Sequence, residues 1–284
     1  MRNKNSKPVQ GMFLLIDRKS DQGLIRWVRE LEKRNIPALV LADGHTIHKN
    51  PDLVKRVADK GLDVGNIYND GAFWPHTHDD MISWLPSWIE IKDVHLLDPY
   101  QVQYEITSRI NEKMVSLTGK TMPAFSGKYF SYDENTMKIA DSLEIPYILA
   151  RGTAGEEAVF YQPIEFRVTL ISVSNVQSKE LGTGSLCDES LRARKETPDD
   201  FRRILHNLDC RRVILVAQSH ISGLMQEWWD VYQDFFDRDI VQWQALEDFV
   251  TDPGEMPYRE IPVNTRTDYM QISMEEDRKE RDER

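Results

Sequence analysis

Short apolar runs recur along most of the chain and are separated by segments with helical spacing. A further segment, 166–173, is rich in β-branched and aromatic residues. Runs of this length that are almost wholly apolar are typical of parallel strands buried on both faces. Strands are therefore predicted at 12–17, 36–42, 62–66, 122–125, 147–150, 166–173, 213–217 and 241–243.

Helix-forming segments lie between these runs. Apolar residues recur at helical spacing over 24–31, and Asn50 followed by Pro51 is a typical start for a helix over 51–60. Thr197 begins another helix, because a cap, a proline and two acidic residues follow one another there. Further helices are predicted over 98–118, 133–143, 223–236 and 245–250. Strands that alternate with helices imply an α/β fold with a parallel sheet or barrel.

Three segments carry neither pattern. The first, 67–97, contains Trp74, Trp84 and Trp88, and we expect it to fold over the strand ends, since a long loop in a compact domain usually serves function. The segment 174–196 is polar and contains glycine, which predicts a loop. The end of the chain, 275–284, consists entirely of charged residues and is predicted to be a frayed helix or disordered.

Composition narrows the class of protein. A chain of 284 residues with 40% apolar residues can form one large domain, which is predicted over 12–252, after an extension at 1–11 and before a charged tail at 253–284. A net charge of −11 argues against a nucleic-acid or anionic-membrane partner. No apolar run reaches the ~18 residues of a transmembrane helix.

As written, the sequence predicts a cytoplasmic protein, or a secreted or cell-surface form whose leader has been removed. Cys187 and Cys210 are either two buried thiols or one disulfide.

One stretch resembles a known family. The first part of it runs from Arg34 to Ala42 and reads Arg-Asn-Ile-Pro-Ala-Leu-Val-Leu-Ala. The second part begins Asn50-Pro-Asp-Leu-Val-Lys-Arg-Val-Ala and ends at Gly65-Asn66. Together they resemble the second βαβ unit of the polysaccharide deacetylases, the NodB-type carbohydrate esterases. The resemblance implies a distorted (β/α) barrel of about seven parallel strands, with its site where the strands end. It also implies a carbohydrate substrate and a divalent metal that activates water.

The metal motifs of that family are altered here. Asp17 falls on the family's general-base position and is either a base or substrate contact, or a strand-end carboxylate paired with Arg18 or Lys19. Arg18 falls on the position of a metal ligand, which a guanidinium cannot be. The histidines that the family places after Gly-Asn are replaced by the residues at 67–70.

A dense group of possible ligands follows a few residues later. His76, His78 and Asp80 lie within five residues and, if a metal binds, are its predicted ligands, because Zn, Mn, Co and Fe all accept such donors. The alternative is a polar loop that opens a helix, with Asp79 and Asp80 near its first turn.

Three further residues match or extend the family's site. Tyr129 is the residue retained from the Arg-x-Pro-Tyr motif, with Ser126 in place of the arginine, and is a candidate substrate contact. His220, after the strand at 213–217, is either the general acid for the leaving group or a loop residue. Arg151 ends a strand and can clamp a carboxylate or phosphate, or can pair with Glu156 or Glu157.

The sequence therefore predicts a polysaccharide deacetylase-like hydrolase with an altered metal site, which removes an acetyl group from a carbohydrate. Asp17 and His220 are its candidate catalytic residues, and Trp74 is a candidate sugar-stacking residue. The alternative is a catalytically inactive relative that binds glycans in the same groove. Replacement of the family's ligands favours the alternative, and the group His76, His78 and Asp80 favours the hydrolase.

Overall fold

The structure is a computed structural model that describes residues 8–18, 20–68, 85, 88–151, 155–177 and 183–261. Its strands are β1 (Val9–Ile16), β2 (Ala38–Asp43), β3 (Asp63–Tyr68), β4 (Ala124–Gly127), β5 (Tyr147–Ala150), β6 (Val159–Pro163), β7 (Thr169–Ser172), β8 (Asn175–Gln177), β9 (Thr183–Ser185), β10 (Arg212–Gln218), β11 (Val241–Trp243) and β12 (Gly254–Met256).

The helices lie between the strands and after them. They are α1 (Asp21–Arg34), α2 (Gly44–Lys49), α3 (Pro51–Asp59), α4 (Pro99–Thr118), α5 (Glu134–Ser142), α6 (Asp188–Ala193), α7 (Pro198–His206), α8 (Gln226–Phe236) and α9 (Leu246–Phe249). Short 3₁₀ helices occur at Val94–Leu96 and Tyr258–Glu260, and a turn is formed by Lys128–Phe130.

Seven strands of the described chain form a continuous parallel sheet. Their order is β10-β1-β2-β3-β4-β5-β7, and each neighbouring pair is parallel. β6 joins β7 antiparallel, β12 pairs with β6, and β11 pairs with the start of β1. The carboxyl ends of the seven parallel strands therefore lie at one end of the sheet, which is called the mouth below.

The chain between β7 and α6 closes the curled sheet into a distorted (β/α) barrel. The Oγ of Ser174 accepts a hydrogen bond from the main-chain N–H of Ile214 at 2.9 Å. The carbonyl of Leu186 accepts from the N–H of Val216 at 3.1 Å. These bonds give acceptors to two main-chain N–H groups of β10 that do not bond to β1. The fold class expected from the family resemblance is confirmed.

Two apolar layers explain why the strands are apolar throughout. On β1, Phe13 and Leu15 pack outward against the helices, while Met12, Leu14 and Ile16 pack inside the barrel. All five side chains are at most 2% exposed. A strand that is buried on both faces has no polar face, so its sequence reads as a continuous run.

Most predicted elements are present, with ends that differ by a few residues. The main correction concerns 174–196, which is not a loop, because it contains β8, β9 and α6. The strands of this hairpin have three residues each, too few to show a period of two. The domain bounds stay a prediction, although the sheet extends from Val9 to Met256.

Candidate functional site

A cavity of about 60 Å³ opens at the barrel mouth. Its walls are residues at or just after the carboxyl ends of β1, β3, β4, β5 and β10, together with residues between β9 and the end of α6. In α/β barrels this end of the sheet carries the functional groups. The polar side chains around it define the candidate site.

Asp17 follows β1 and is fully buried beside the cavity. One carboxylate oxygen accepts from the Ser219 hydroxyl at 2.8 Å, and the other accepts from the Thr46 hydroxyl at 2.7 Å. Burial raises the pKa of Asp17, and the two hydroxyls offset only part of that rise. The carboxylate is thus held between β1, α2 and the turn after β10. Of the two partners in the alternative, Arg18 pairs with another carboxylate, and Lys19 lies outside the described residues.

Arg18 instead forms an ion pair with Glu189 of α6. The same carboxylate oxygen of Glu189 lies 3.4 Å from Nε2 of His220. Burial alone would raise the pKa of Glu189, but the charge of Arg18 and the contact with His220 outweigh it and lower the pKa to about 2. Glu189 is therefore ionised at neutral pH and joins the two basic side chains across the mouth.

Asp188 fixes the position of Glu189. Its buried carboxylate accepts from the main-chain N–H groups of Gln218 at 3.1 Å, Ser222 at 3.1 Å and Glu189 at 2.8 Å. These bonds attach the first turn of α6 to the end of β10. Burial raises the pKa of Asp188. Cys187 beside it is buried, Cys210 is half-buried, and the two do not form a disulfide, so the disulfide alternative is wrong and one of the two thiols is buried as expected.

Tyr129 lies in a strained turn after β4. Tyr129 and Phe130 both have positive φ, 56° and 61°. Successive non-glycine residues in this region are unfavourable and persist where the surroundings hold them, often at functional sites. Here the Phe130 carbonyl accepts from the N–H of Arg151 at 2.8 Å, which ties the turn to the end of β5. Ser126, which replaces the family's arginine, donates to the Leu149 carbonyl and is buried.

Arg151 and Arg194 lie on one side of the cavity. Each donates from Nη2 to the carbonyl of Thr183, at 2.7 Å and 3.1 Å respectively. Both side chains are almost fully buried. Glu156 and Glu157, the alternative partners for Arg151, accept from main-chain N–H groups of 209 and 211 at 2.9 Å and 2.7 Å.

The residues at the family's metal position do not fit a metal. Arg18 carries a positive charge and has no lone pair to donate, and the side chain of Ile67, at the end of β3, is aliphatic. Within the described ranges, no group of three His, Cys, Asp or Glu side chains is arranged to hold an ion. His76, His78 and Asp80 lie outside the described residues, so their metal site stays a prediction.

The structure brings Asp17, Tyr129, Arg151 and His220 to the mouth, as expected for residues that follow parallel strands. Trp74 and Trp84 lie outside the described residues. Trp88 stacks on His48 of α2, with ring centroids 4.3 Å apart and an interplanar angle of 11°.

The sequence analysis did not identify four charged or amide side chains of the described cavity lining, namely Lys128, Glu189, Arg194 and Gln218. Glu189 and Arg194 were hidden because their segment was interpreted as loop. The acidic pair at 188–189 after Cys187 was the available sign of a helix start.

The fold is a distorted (β/α) barrel with its candidate site at the mouth. The family model for polysaccharide deacetylase matches residues 4–148, slightly more than half of the chain. The chain therefore belongs to the polysaccharide deacetylase family. Deacetylases of this family are generally metal-dependent. A comparison with curated proteins found no match.

Solved structures with similar folds include several deacetylases. A putative polysaccharide deacetylase from Mycobacterium smegmatis is 12% identical, with a TM-score of 0.58 over 87% of this chain and 91% of that one. A family 4 carbohydrate esterase from Streptomyces lividans, in complex with acetate, is 10% identical, with a TM-score of 0.52 over 87% of this chain and 98% of that one.

A pseudoenzyme is also among these neighbours. A CE4 family pseudoenzyme from Bacillus anthracis is 12% identical, with a TM-score of 0.53 over 87% of this chain and 67% of that one. A mutant of that protein has restored enzymatic activity. At such identities the similarity shows the fold. Family and fold are consistent with both functions expected from the sequence, the altered-site hydrolase and the inactive glycan-binding relative.

No helix in the described part of the chain is long and apolar enough to cross a membrane. A carbohydrate ligand fits the family.

Proposed function

We propose that the protein binds a glycan at the barrel mouth and does not use the family's metal-dependent hydrolysis. The observation that carries the proposal is the ion pair between Arg18 and Glu189. It puts a protein cation where the family has a metal ligand. A divalent cation beside a guanidinium would meet electrostatic repulsion in a partly buried setting, where charges are weakly screened.

The state of Asp17 supports the same function. A general base must reach the water or hydroxyl whose proton it removes, at about 2.6–3.2 Å. Asp17 is 0% exposed, and both of its oxygens already accept from hydroxyl groups. It contributes to the structure of the mouth by connecting three elements.

Glycan binding itself is supported by the family and by the residues that line the cavity. The strained turn presents Tyr129 at the cavity, and the polar groups of the mouth supply donors and acceptors for hydroxyl groups. Sugars are commonly bound by an aromatic ring together with fixed polar groups.

The altered-site hydrolase is the second candidate. It is favoured by the sequence His76-Thr-His78-Asp79-Asp80 and by the position of His220 at the mouth. In this case a divalent metal, Zn, Mn, Co or Fe, would be held by His76, His78 and Asp80.

The two functions differ in acetate release. The full chain is incubated with N-acetylated and O-acetylated oligosaccharides, once with a chelator present and once with each of the four metals. The acetate released is then measured. The proposal predicts no release above background under any condition. Metal-dependent release that is lost in the double variant His76→Ala/His78→Ala overturns it. The matched control is His95→Ala/His206→Ala, which removes two exposed histidines.

A further inference from the structure

The described lining of the mouth cavity is strongly cationic. Arg18, Lys128, Arg151 and Arg194 line it, against the single carboxylate of Glu189 among the described lining residues. The chain as a whole has a net charge of −11. A cationic cavity on an acidic protein concentrates positive potential at one place, where it attracts anions.

The two buried arginines are held in fixed orientations. Both donate to the carbonyl of Thr183, and Arg194 also donates to the hydroxyl of Ser190 at 2.6 Å. Planar guanidinium groups that are held in this way are suited to planar or tetrahedral oxyanions, to which they donate two parallel hydrogen bonds. Lys128 adds a point charge, with its Nζ 5.1 Å from the ring centroid of Tyr129.

A neutral acceptor completes the cavity. Gln218 is 5% exposed, and its Oε1 is buried with no hydrogen-bond partner among the described residues. The side chain lines the cavity. A buried acceptor without a partner is costly, so a bound group that brings a donor, such as a hydroxyl, is favoured there.

The size of the cavity limits what enters it. A water molecule needs roughly 10–15 Å³ of such volume, so a cavity of about 60 Å³ has room for a few non-hydrogen atoms. This matches an acidic substituent together with the carbon that bears it, and it is too small for a whole sugar ring. The ring itself would lie outside, over Tyr129.

We infer that the glycan bound by this protein carries a small acidic group, a carboxylate or a sulfate ester, which the cavity binds through Arg151, Arg194 and Lys128 while Gln218 accepts from a neighbouring hydroxyl. That the ligand is a glycan rests on the proposed function. That it carries an acidic group rests on the cavity alone. Acidic glycans are thus assigned as the ligand class.

The test compares matched oligosaccharides of equal length by calorimetry on the full chain: an oligouronate, its neutral counterpart and a sulfated analogue. The expected result is that at least one acidic oligosaccharide binds at least tenfold tighter than the neutral one. Lys128→Gln and Arg151→Gln should each reduce that preference severalfold, because each removes a positive charge from the cavity. Lys55→Gln, which removes a charge from the exposed face of α3, should leave the preference unchanged.

Each outcome decides a different point. If the neutral oligosaccharide binds as tightly as both acidic ones, the inference is wrong while glycan binding stands. A preference for the uronate or for the sulfate identifies the acid. If no oligosaccharide binds, the proposed function fails, and free glucuronate is then titrated against glucose. Binding of glucuronate alone, weakened in Arg151→Gln, supports the acid pocket. If glucuronate and glucose bind equally, or if neither binds, the acid pocket is ruled out.

Discussion

Arg18 and Glu189 form an ion pair across the barrel mouth, although 171 positions separate them in the sequence. Arg18 follows the first strand, and Glu189 lies in the first turn of α6. In the resemblance that the sequence carries, the position of Arg18 belongs to a metal ligand. At the position that the resemblance gives to a metal ligand, this chain therefore has an ion pair between two protein charges.

The first prediction concerns the pH dependence of this pair. The pKa of Glu189 is lowered from 4.5 to about 2, so its contribution to stability is present above 4.5 and is lost as pH falls through 2. Glu189→Gln should cost on the order of 3 kcal/mol at pH 7, since each pKa unit corresponds to ~1.4 kcal/mol. At pH 3 the difference should fall to less than half. Urea unfolding at both pH values measures it.

The control for this prediction is Glu32→Gln. Glu32 pairs with Lys60, and both side chains are more than 40% exposed. Exposed pairs contribute roughly 0–1 kcal/mol, so this variant should differ little from the parent at either pH. A Glu189→Gln variant that is equally stable at pH 7 contradicts the assigned ion pair.

The second prediction concerns Asp17. Because burial raises its pKa, the ionised form is penalised in the folded state. Its contribution is favourable below pH 3.8 and is lost as pH rises through the folded pKa. Asp17→Asn should therefore gain stability relative to the parent between pH 3.5 and pH 7, as followed by chemical unfolding.

Asp17→Leu is the contrasting variant. It leaves the hydroxyls of Thr46 and Ser219 without their acceptor. Each buried group that loses its partner costs roughly 1–3 kcal/mol, so this variant should be destabilised at every pH. If the asparagine and leucine variants behave alike, the carboxylate does not hold the two hydroxyls.

How far the sequence predicted the fold depends on burial. The strand over 147–150 was placed correctly and the helix of 98–118 to within one residue, because a doubly buried strand and a capped helix leave strong local patterns. The hairpin of β8 and β9 was missed, since its three-residue strands are polar and pair only locally. The closure of the barrel through Ser174 is a long-range contact with no local pattern.

The sequence likewise predicted only part of the candidate site. Asp17, Arg151 and His220 were found because they follow apolar strands, and the ends of parallel strands meet at one edge. Glu189 was not found, because it reaches the mouth from a short helix that Asp188 attaches to β10. Its role depends on a contact with Arg18, which sequence spacing does not encode.

The third prediction concerns the rim of the mouth. The indole of Trp88 packs so closely on Gly44 that a Cβ there would overlap the ring. Gly44→Ala should therefore destabilise the protein by about 1–3 kcal/mol, as for other overpacked sites. Gly254→Ala is the control, because the nearest atom to its added Cβ among the described residues is 3.9 Å away. If combining Gly44→Ala with Trp88→Ala restores no stability, the cause is not the indole.

The fourth prediction reverses the charge of Arg18. Glu189 contacts both Arg18 and His220 through one oxygen, so Arg18→Asp would place two carboxylates and an imidazole together. Such a set suits zinc. We expect the variant to bind about one Zn²⁺, measured by elemental analysis after dialysis, and to gain thermal stability in zinc. Arg18→Ala, which removes the cation without adding a ligand, should bind less. Equal uptake by the two variants contradicts the assignment of this cluster.

The most direct measurement is the dissociation constant of the unaltered protein for an acidic oligosaccharide, determined in chelator and again in saturating Zn²⁺, Mn²⁺, Co²⁺ or Fe²⁺, with acetate followed in the same samples. If the pair of Arg18 and Glu189 takes the place of a metal site, the dissociation constant should be the same in chelator and in each of the four metals, and no acetate should be released. Binding that requires a metal, or acetate that appears only when one is present, would contradict this account.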